Sequence, residues 1–68
     1  MEITDEGMEK ASERPGGPMT YALDYISSLT MLPTNREQCT WAIMKGLGCS
    51  KNTANAILDE ALERGYII

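Results

Sequence analysis

The sequence predicts a small, mostly α-helical domain of three to four helices with at most a minimal pair of β-strands. Three observations support this fold class. The chain has 68 residues, which is enough for one small core. It contains no Val and no Phe, residue types that are favoured in strands. In its second half, apolar residues recur at spacings of three and four, which is typical of amphipathic helices.

The first element is a short, acidic helix. Thr4 is a suitable N-cap, and the acidic residues after it favour the positive end of a helix dipole, so we expect a helix over residues 5–13. The Pro- and Gly-rich run Arg14–Pro18 then interrupts any regular structure. Residues 1–17 are therefore predicted to be an acidic N-terminal arm with a short helix and a linker, and residues 18–68 the main domain.

The second helix is predicted over Met19–Met31, ending before Leu32-Pro33 because proline disfavours helical geometry in the residue that precedes it. Two overlapping apolar stripes are more than a monomer needs, so this helix is a candidate homodimer interface. The stripes comprise Ala22, Ile26 and Leu29, and Tyr21, Tyr25 and Leu29, with Leu23 beside them.

The third helix is predicted to begin with a capping box of Thr34 and Glu37 and to run to about Lys45. Trp41 and Tyr25 are expected in the core or at its edge rather than as stacking platforms. The expected buried positions of this helix are Cys39, Ala42, Ile43 and Leu47.

A tight connection, Gly46-Leu47-Gly48-Cys49, leads into the fourth helix, and one or both glycines are expected at positive φ. Ser50 is the predicted N-cap, and Gly65 the residue that ends the helix. Tyr66-Ile67-Ile68 suits a strand. The core stripe of the fourth helix is Ala54, Ile57, Leu58, Ala61 and Leu62.

Two helices joined by a short glycine turn form the plan of a helix-turn-helix unit, whose second helix can enter the DNA major groove. Asn side chains can pair with adenine, and Lys can reach guanine or phosphate. Residues 34–55 hold three basic residues against one acidic residue, a local charge of +2 in a chain of net charge −4. The candidate DNA-binding residues are Ser50, Lys51, Asn52, Thr53, Asn55, Arg36 and Lys45.

The run from Leu47 to Asn55, followed by Ile57-Leu58 and the ending Ala61–Ile67, resembles the recognition segment of winged helix-turn-helix regulators of bacteria and archaea. The resemblance covers about 22 residues, roughly 46–67. It implies a DNA-binding transcriptional regulator with Ser50–Arg64 as the recognition helix, and Lys51, Asn52, Thr53 and Asn55 at recognition positions.

The chain stops at Ile68, where the second strand of a wing would begin. Three alternatives follow: the wing is absent, the chain is a fragment, or another segment pairs with residues 66–68. Glu2-Ile3 precedes a Thr-Asp-Glu-Gly run like one that often follows a wing. We therefore predict a strand at Glu2-Ile3 beside Tyr66-Ile67, within one chain or across a dimer.

An enzyme is not expected, because the chain has no His and no Ser or Cys beside a candidate base. Without His or a Cys-x-x-Cys pair, no metal or cofactor site is expected either. No apolar run approaches the length of a membrane span, so a cytoplasmic protein is expected. Two functions remain open: a small regulator that binds double-stranded DNA, and a protein-interaction module of a replication, transcription or defence complex that does not bind DNA.

Overall fold

A computed structural model of the chain describes residues 1–29 and 35–68 and confirms the predicted fold class. The described part is mostly helical, with a single antiparallel β-bridge. Its helices pack in sequence order, α1 on α2, α2 on α3 and α3 on α4, and α2 also touches α4. Their bounds are α1 Asp5–Ala11, α2 Pro18–Leu29, α3 Arg36–Leu47 and α4 Lys51–Glu63.

One core joins all the helices, and the N-terminal arm takes part in it through Ala11. Leu23, Ile43 and Leu58 are its largest fully buried aliphatic side chains on the helices, one from each of α2, α3 and α4. Small residues such as Ala54 allow the helix backbones to approach closely. The other buried members are Met19, Ala22, Ile26, Cys39, Ala61 and Ile67, with Ile57, Leu62 and Leu47 only partly buried.

α1 begins at the predicted cap, since the Thr4 side chain accepts a hydrogen bond from the amide of Gly7. The helix ends at Ala11 rather than Glu13. The amides of Ser12 and Glu13 bond to carbonyls only three residues back, which closes the last turn before the proline-containing linker.

α3 starts one residue later than the predicted capping box requires. Asn35 is the N-cap and forms a capping box with Gln38, so the predicted position of the cap was one residue too early. The Asn35 side chain accepts from the amide of Gln38 at 2.8 Å, and the Gln38 side chain accepts from the amide of Asn35 at 3.3 Å. Thr34 itself, and the predicted end of the second helix at residues 31–33, lie outside the described residues.

The turn between α3 and α4 is shorter than predicted, because α3 continues through Leu47. Gly48 adopts the left-handed conformation that ends the helix, with φ 63°, and Ser50 caps α4 as expected. Gly46 is helical, and its missing Cβ makes room for the Tyr25 ring, which a side chain at this position would overlap.

The two ends of the chain meet in the antiparallel bridge between Ile3 and Ile67. Glu2 and Ile68 exchange backbone hydrogen bonds of 2.8 and 2.9 Å, and the amide of Thr4 donates to the carbonyl of Tyr66 at 2.9 Å. Gly65, at φ 77°, ends α4 and turns the chain toward this pairing. The predicted pairing of the two termini is confirmed within a single chain.

Trp41 was predicted in the core or at its edge, and this was wrong, because its side chain is 55% exposed and does not pack against the core cluster. Tyr25 keeps a position at the core edge against Gly46 while remaining 46% exposed. In the described part of the chain, no helix combines the length and the apolar character needed to cross a membrane.

Candidate nucleic-acid interface

The amino end of α4 is open to solvent, and the predicted recognition residues begin there. Ser50 holds the helix start, because its hydroxyl accepts from the amide of Thr53 at 3.3 Å. Lys51, Asn52 and Thr53 are all exposed. Backbone amides in the first turn of a helix lack intrahelical acceptors, so this end also favours an anion.

Asn55 is in a different situation, because a polar cluster between α3 and α4 engages it. Its Oδ1 accepts from Arg36 Nη2 at 3.4 Å and lies 3.2 Å from Thr40 Oγ1, whose single hydrogen is shared between Asn55 and the carbonyl of Arg36 at 3.0 Å. The side chain is half-buried. Pairing with an adenine edge through Oδ1 would therefore require Asn55 to exchange these contacts for contacts with the base.

Arg36 forms a shorter contact than Asn55 does, in an ion pair with an acidic residue of α4. Its Nη2 lies 2.6 Å from Asp59 Oδ1, although both side chains remain more than a third exposed. We call residues 34–55, whose local charge is +2, the positive block. The charge of Arg36, one of its three basic residues, is already neutralised by Asp59 from the middle of α4. A phosphate could use Arg36 only by competing with Asp59.

The other two cations of the block make no ion pair among the described residues. Lys45 Nζ lies 4.8 Å from the centre of the Trp41 ring, in a cation–π contact, and Lys51 stands at the first position of α4. By contrast, the remaining basic residues outside the block, Lys10, Arg14 and Arg64, are each paired with an acidic residue.

A groove of about 440 Å³ runs between α3 and α4 beside these residues. It joins the open end of α4 to the Trp41 ring, so polar and aromatic groups share one surface. The residues that line it are Arg36, Glu37, Thr40, Trp41, Met44, Lys51 and Asn55. The structure thus brings Arg36, Lys51 and Asn55 to one surface. Lys45 lies beside it over Trp41, while Asn52 and Thr53 stand at the α4 start.

Sequence reasoning missed Thr40, which is buried and fixes Asn55, and the partner of Arg36 on α4. The exposure of Trp41 could have been predicted from the helical repeat of α3. At 100° per residue, Trp41 points about 150° away from the centre of the face formed by Cys39, Ala42 and Ile43. The link between Thr40 and Asn55 joins two helices and leaves no signal in either one alone.

Within residues 1–29 and 35–68, no group of His, Cys, Asp or Glu side chains is placed to hold a metal ion. Cys39 and Cys49 form no disulfide, and the first is buried and the second half-buried. In comparisons with known proteins, no family model, curated protein or solved structure matches the chain. Any function of the chain is therefore inferred from its own geometry.

Proposed function

We propose that this protein binds double-stranded DNA through the amino end of α4 and acts as a small transcriptional regulator. One observation carries the proposal: Lys51, Asn52 and Thr53 are exposed together at the start of a helix that follows a three-residue turn. An α-helix is about 10–12 Å wide and the major groove about 12 Å, so this end can reach base edges.

The side chains divide into two roles. Asn52 offers both a donor and an acceptor to an adenine edge, and Thr53 offers a methyl group to thymine. Lys51 and the Ser50 cap lie where a phosphate would meet the free amides of the first turn. Arg36 contributes once a phosphate oxygen of DNA replaces Asp59, and Asn55 contributes once the N6 amino group of an adenine replaces Thr40 as the donor to its Oδ1.

The charge distribution limits how tightly one copy can bind. If Lys51, Arg36 and Lys45 each neutralise one phosphate, the logarithm of the binding constant should fall with the logarithm of salt concentration with a slope of about −2.7. The net charge of −4 weakens long-range attraction to DNA. We therefore expect modest affinity per chain and tighter binding when two copies occupy adjacent half-sites.

The test is selection of binding sequences from random duplexes, followed by fluorescence anisotropy of the wild type and three variants. Lys51→Ala should weaken binding and reduce the salt slope by about 0.9. Asn52→Ala should cost about 1–3 kcal/mol on the selected site and little on random DNA. Lys10→Ala is the matched control, because it removes the same charge from α1, whose surface does not border the α3–α4 groove.

The proposal fails if no saturable binding occurs at low salt, or if Lys10→Ala and Lys51→Ala weaken binding equally. Equal losses would mean that only overall charge matters. The second candidate is a protein-interaction module without DNA binding. It is favoured by the exposed aromatic side chains of α2 and α3 and by the net negative charge. In that case alanine at Lys51 and Asn52 would leave partner binding unchanged.

A further inference from the structure

Four large apolar side chains lie exposed on neighbouring parts of α2 and α3, and we call this surface the aromatic face: Tyr21, Tyr25, Leu29 and Trp41. Their exposed fractions are 38%, 46%, 45% and 55%. Aromatic side chains present about 150–250 Å² each, so the three rings alone leave roughly 300 Å² accessible. That area reaches the size at which an apolar patch on a monomer commonly has a function.

The α2 and α3 parts of the aromatic face meet at Leu29, where these two packed helices lie side by side. Leu29 and Trp41 line the same hollow of about 570 Å³. Farther along, the Tyr25 ring lies on Gly46, and Tyr21 borders a second hollow together with Leu47. The apolar stripe of Tyr21, Tyr25 and Leu29 that was predicted on the second helix therefore meets Trp41 at Leu29.

The charges around Trp41 are arranged symmetrically along α3. Glu37 lies four residues before Trp41 and Lys45 four residues after it, about 6 Å away in each direction along the helix axis. Neither Glu37 nor Lys45 forms an ion pair with another described residue, and Lys45 instead rests on the Trp41 ring. The three side chains thus form an acidic, aromatic and basic row on one helix.

We propose that the aromatic face binds a second copy of this chain, with the two α3 helices antiparallel across a two-fold axis near Trp41. A two-fold axis at the centre of the row places Glu37 opposite Lys45 of the other copy, and Lys45 opposite its Glu37. Both unpaired charges then gain a partner, and Trp41 meets its own counterpart at the centre. An isologous interface requires this kind of self-complementarity.

A row with equal and opposite charges on either side of its aromatic centre offers no net charge to a partner of one sign. A strongly acidic or basic partner would gain one ion pair and meet one repulsion. A second copy gains two. The ring surface of two copies, roughly 600 Å², is less than the roughly 1,200 Å² of a standard stable interface, so we expect a weak, reversible dimer with a dissociation constant of about 100 μM or more.

Trp41 and Glu37 also line the α3–α4 groove, so the dimer and DNA would share part of one surface, and the dimer is therefore tested in the absence of DNA. Sedimentation velocity of the full chain without DNA, over a wide concentration range, gives the dissociation constant. Glu37→Lys and Lys45→Glu should each weaken the dimer about tenfold, because each variant replaces two attractive pairs with two repulsive ones. The double variant Glu37→Lys/Lys45→Glu restores opposite charges and should recover wild-type association.

Trp41→Ala should reduce association further, and circular dichroism of each variant establishes that it remains folded. Met8→Ala is the matched control, because Met8 on α1 is also an exposed large apolar residue, at 48%, but lies outside the aromatic face. A wild-type chain that stays monomeric at every concentration overturns the proposal. So does a dimer that the double charge exchange fails to rescue, since that result excludes the antiparallel arrangement of α3.

Discussion

Replacement of Gly7 by Ala tests the packing of the two chain ends most directly, because two physical effects predict opposite signs. Gly7 lies in the first half of α1, where Ala is favoured over Gly by about 1 kcal/mol on helix propensity. In the folded chain, however, a Cβ at this position would overlap the carbonyl oxygen of Tyr66 and lie 2.7 Å from Ile3 Cγ2.

The size of the effect follows from what must move. Tyr66 O is a backbone atom that already accepts a hydrogen bond from Thr4 at 2.9 Å, so it cannot move without disturbing the terminal pairing. Overpacking of this kind costs about 1–3 kcal/mol, and each weakened backbone hydrogen bond about 1 kcal/mol. After the gain in propensity is subtracted, Gly7→Ala should lower the free energy of unfolding by about 2 kcal/mol.

The assay is urea unfolding followed by circular dichroism at 222 nm, with thermal unfolding as a second measure. A loss of 2 kcal/mol corresponds to a fall in melting temperature of about 8–16 °C for a chain of this size. Gly17→Ala is the matched control, because a Cβ at Gly17 has no neighbour within 4 Å. If Gly7→Ala is as stable as the wild type, or more stable, α1 does not approach the carboxyl-terminal segment in the way described.

Three further changes test separate parts of the structure. Thr20 is fully buried, and its hydroxyl has no hydrogen-bond partner among the described residues. Thr20→Val should therefore raise the free energy of unfolding, measured in urea, by about 1 kcal/mol. A clear decrease in that free energy would show that the hydroxyl is hydrogen-bonded in solution. Asp59→Asn frees Arg36, should change stability by less than about 1 kcal/mol, and should strengthen DNA binding in the anisotropy assay, whereas weaker binding would contradict the role proposed for Arg36. The hydrogen bond from Lys10 to Glu13 and the negative charge of Glu13 raise the pKa of Lys10 above its usual value of 10.5. The stabilisation from this pair is therefore fully present below pH 10.5 and is lost as the pH rises through the pKa of Lys10 in the folded chain. Glu13→Gln should return the pKa of Lys10 toward 10.5 in an NMR titration, and an unchanged pKa would exclude Glu13 as the cause.

The sequence alone determined the features that depend on near neighbours. The caps at Thr4 and Ser50 and the helix end at Gly65 were predicted correctly, because each depends on residues within one turn. The buried stripes of α3 and α4 follow from the helical repeat. Even the local error was small: Asn35 and Gln38 form the capping box one residue beyond the predicted pair, since both registers carry suitable side chains.

The tertiary structure decided what joins distant parts of the chain. Thr4 donates its hydroxyl hydrogen to the carbonyl of Gly65, a residue 61 positions away, and no local pattern determines that contact. Asn55 was predicted from the sequence as an exposed recognition residue, but in the folded chain it contacts Thr40 and Arg36 of α3, which no local pattern determines either. Helical periodicity specifies which side of a helix is apolar, whereas the neighbour that meets each side is determined only when the whole core closes.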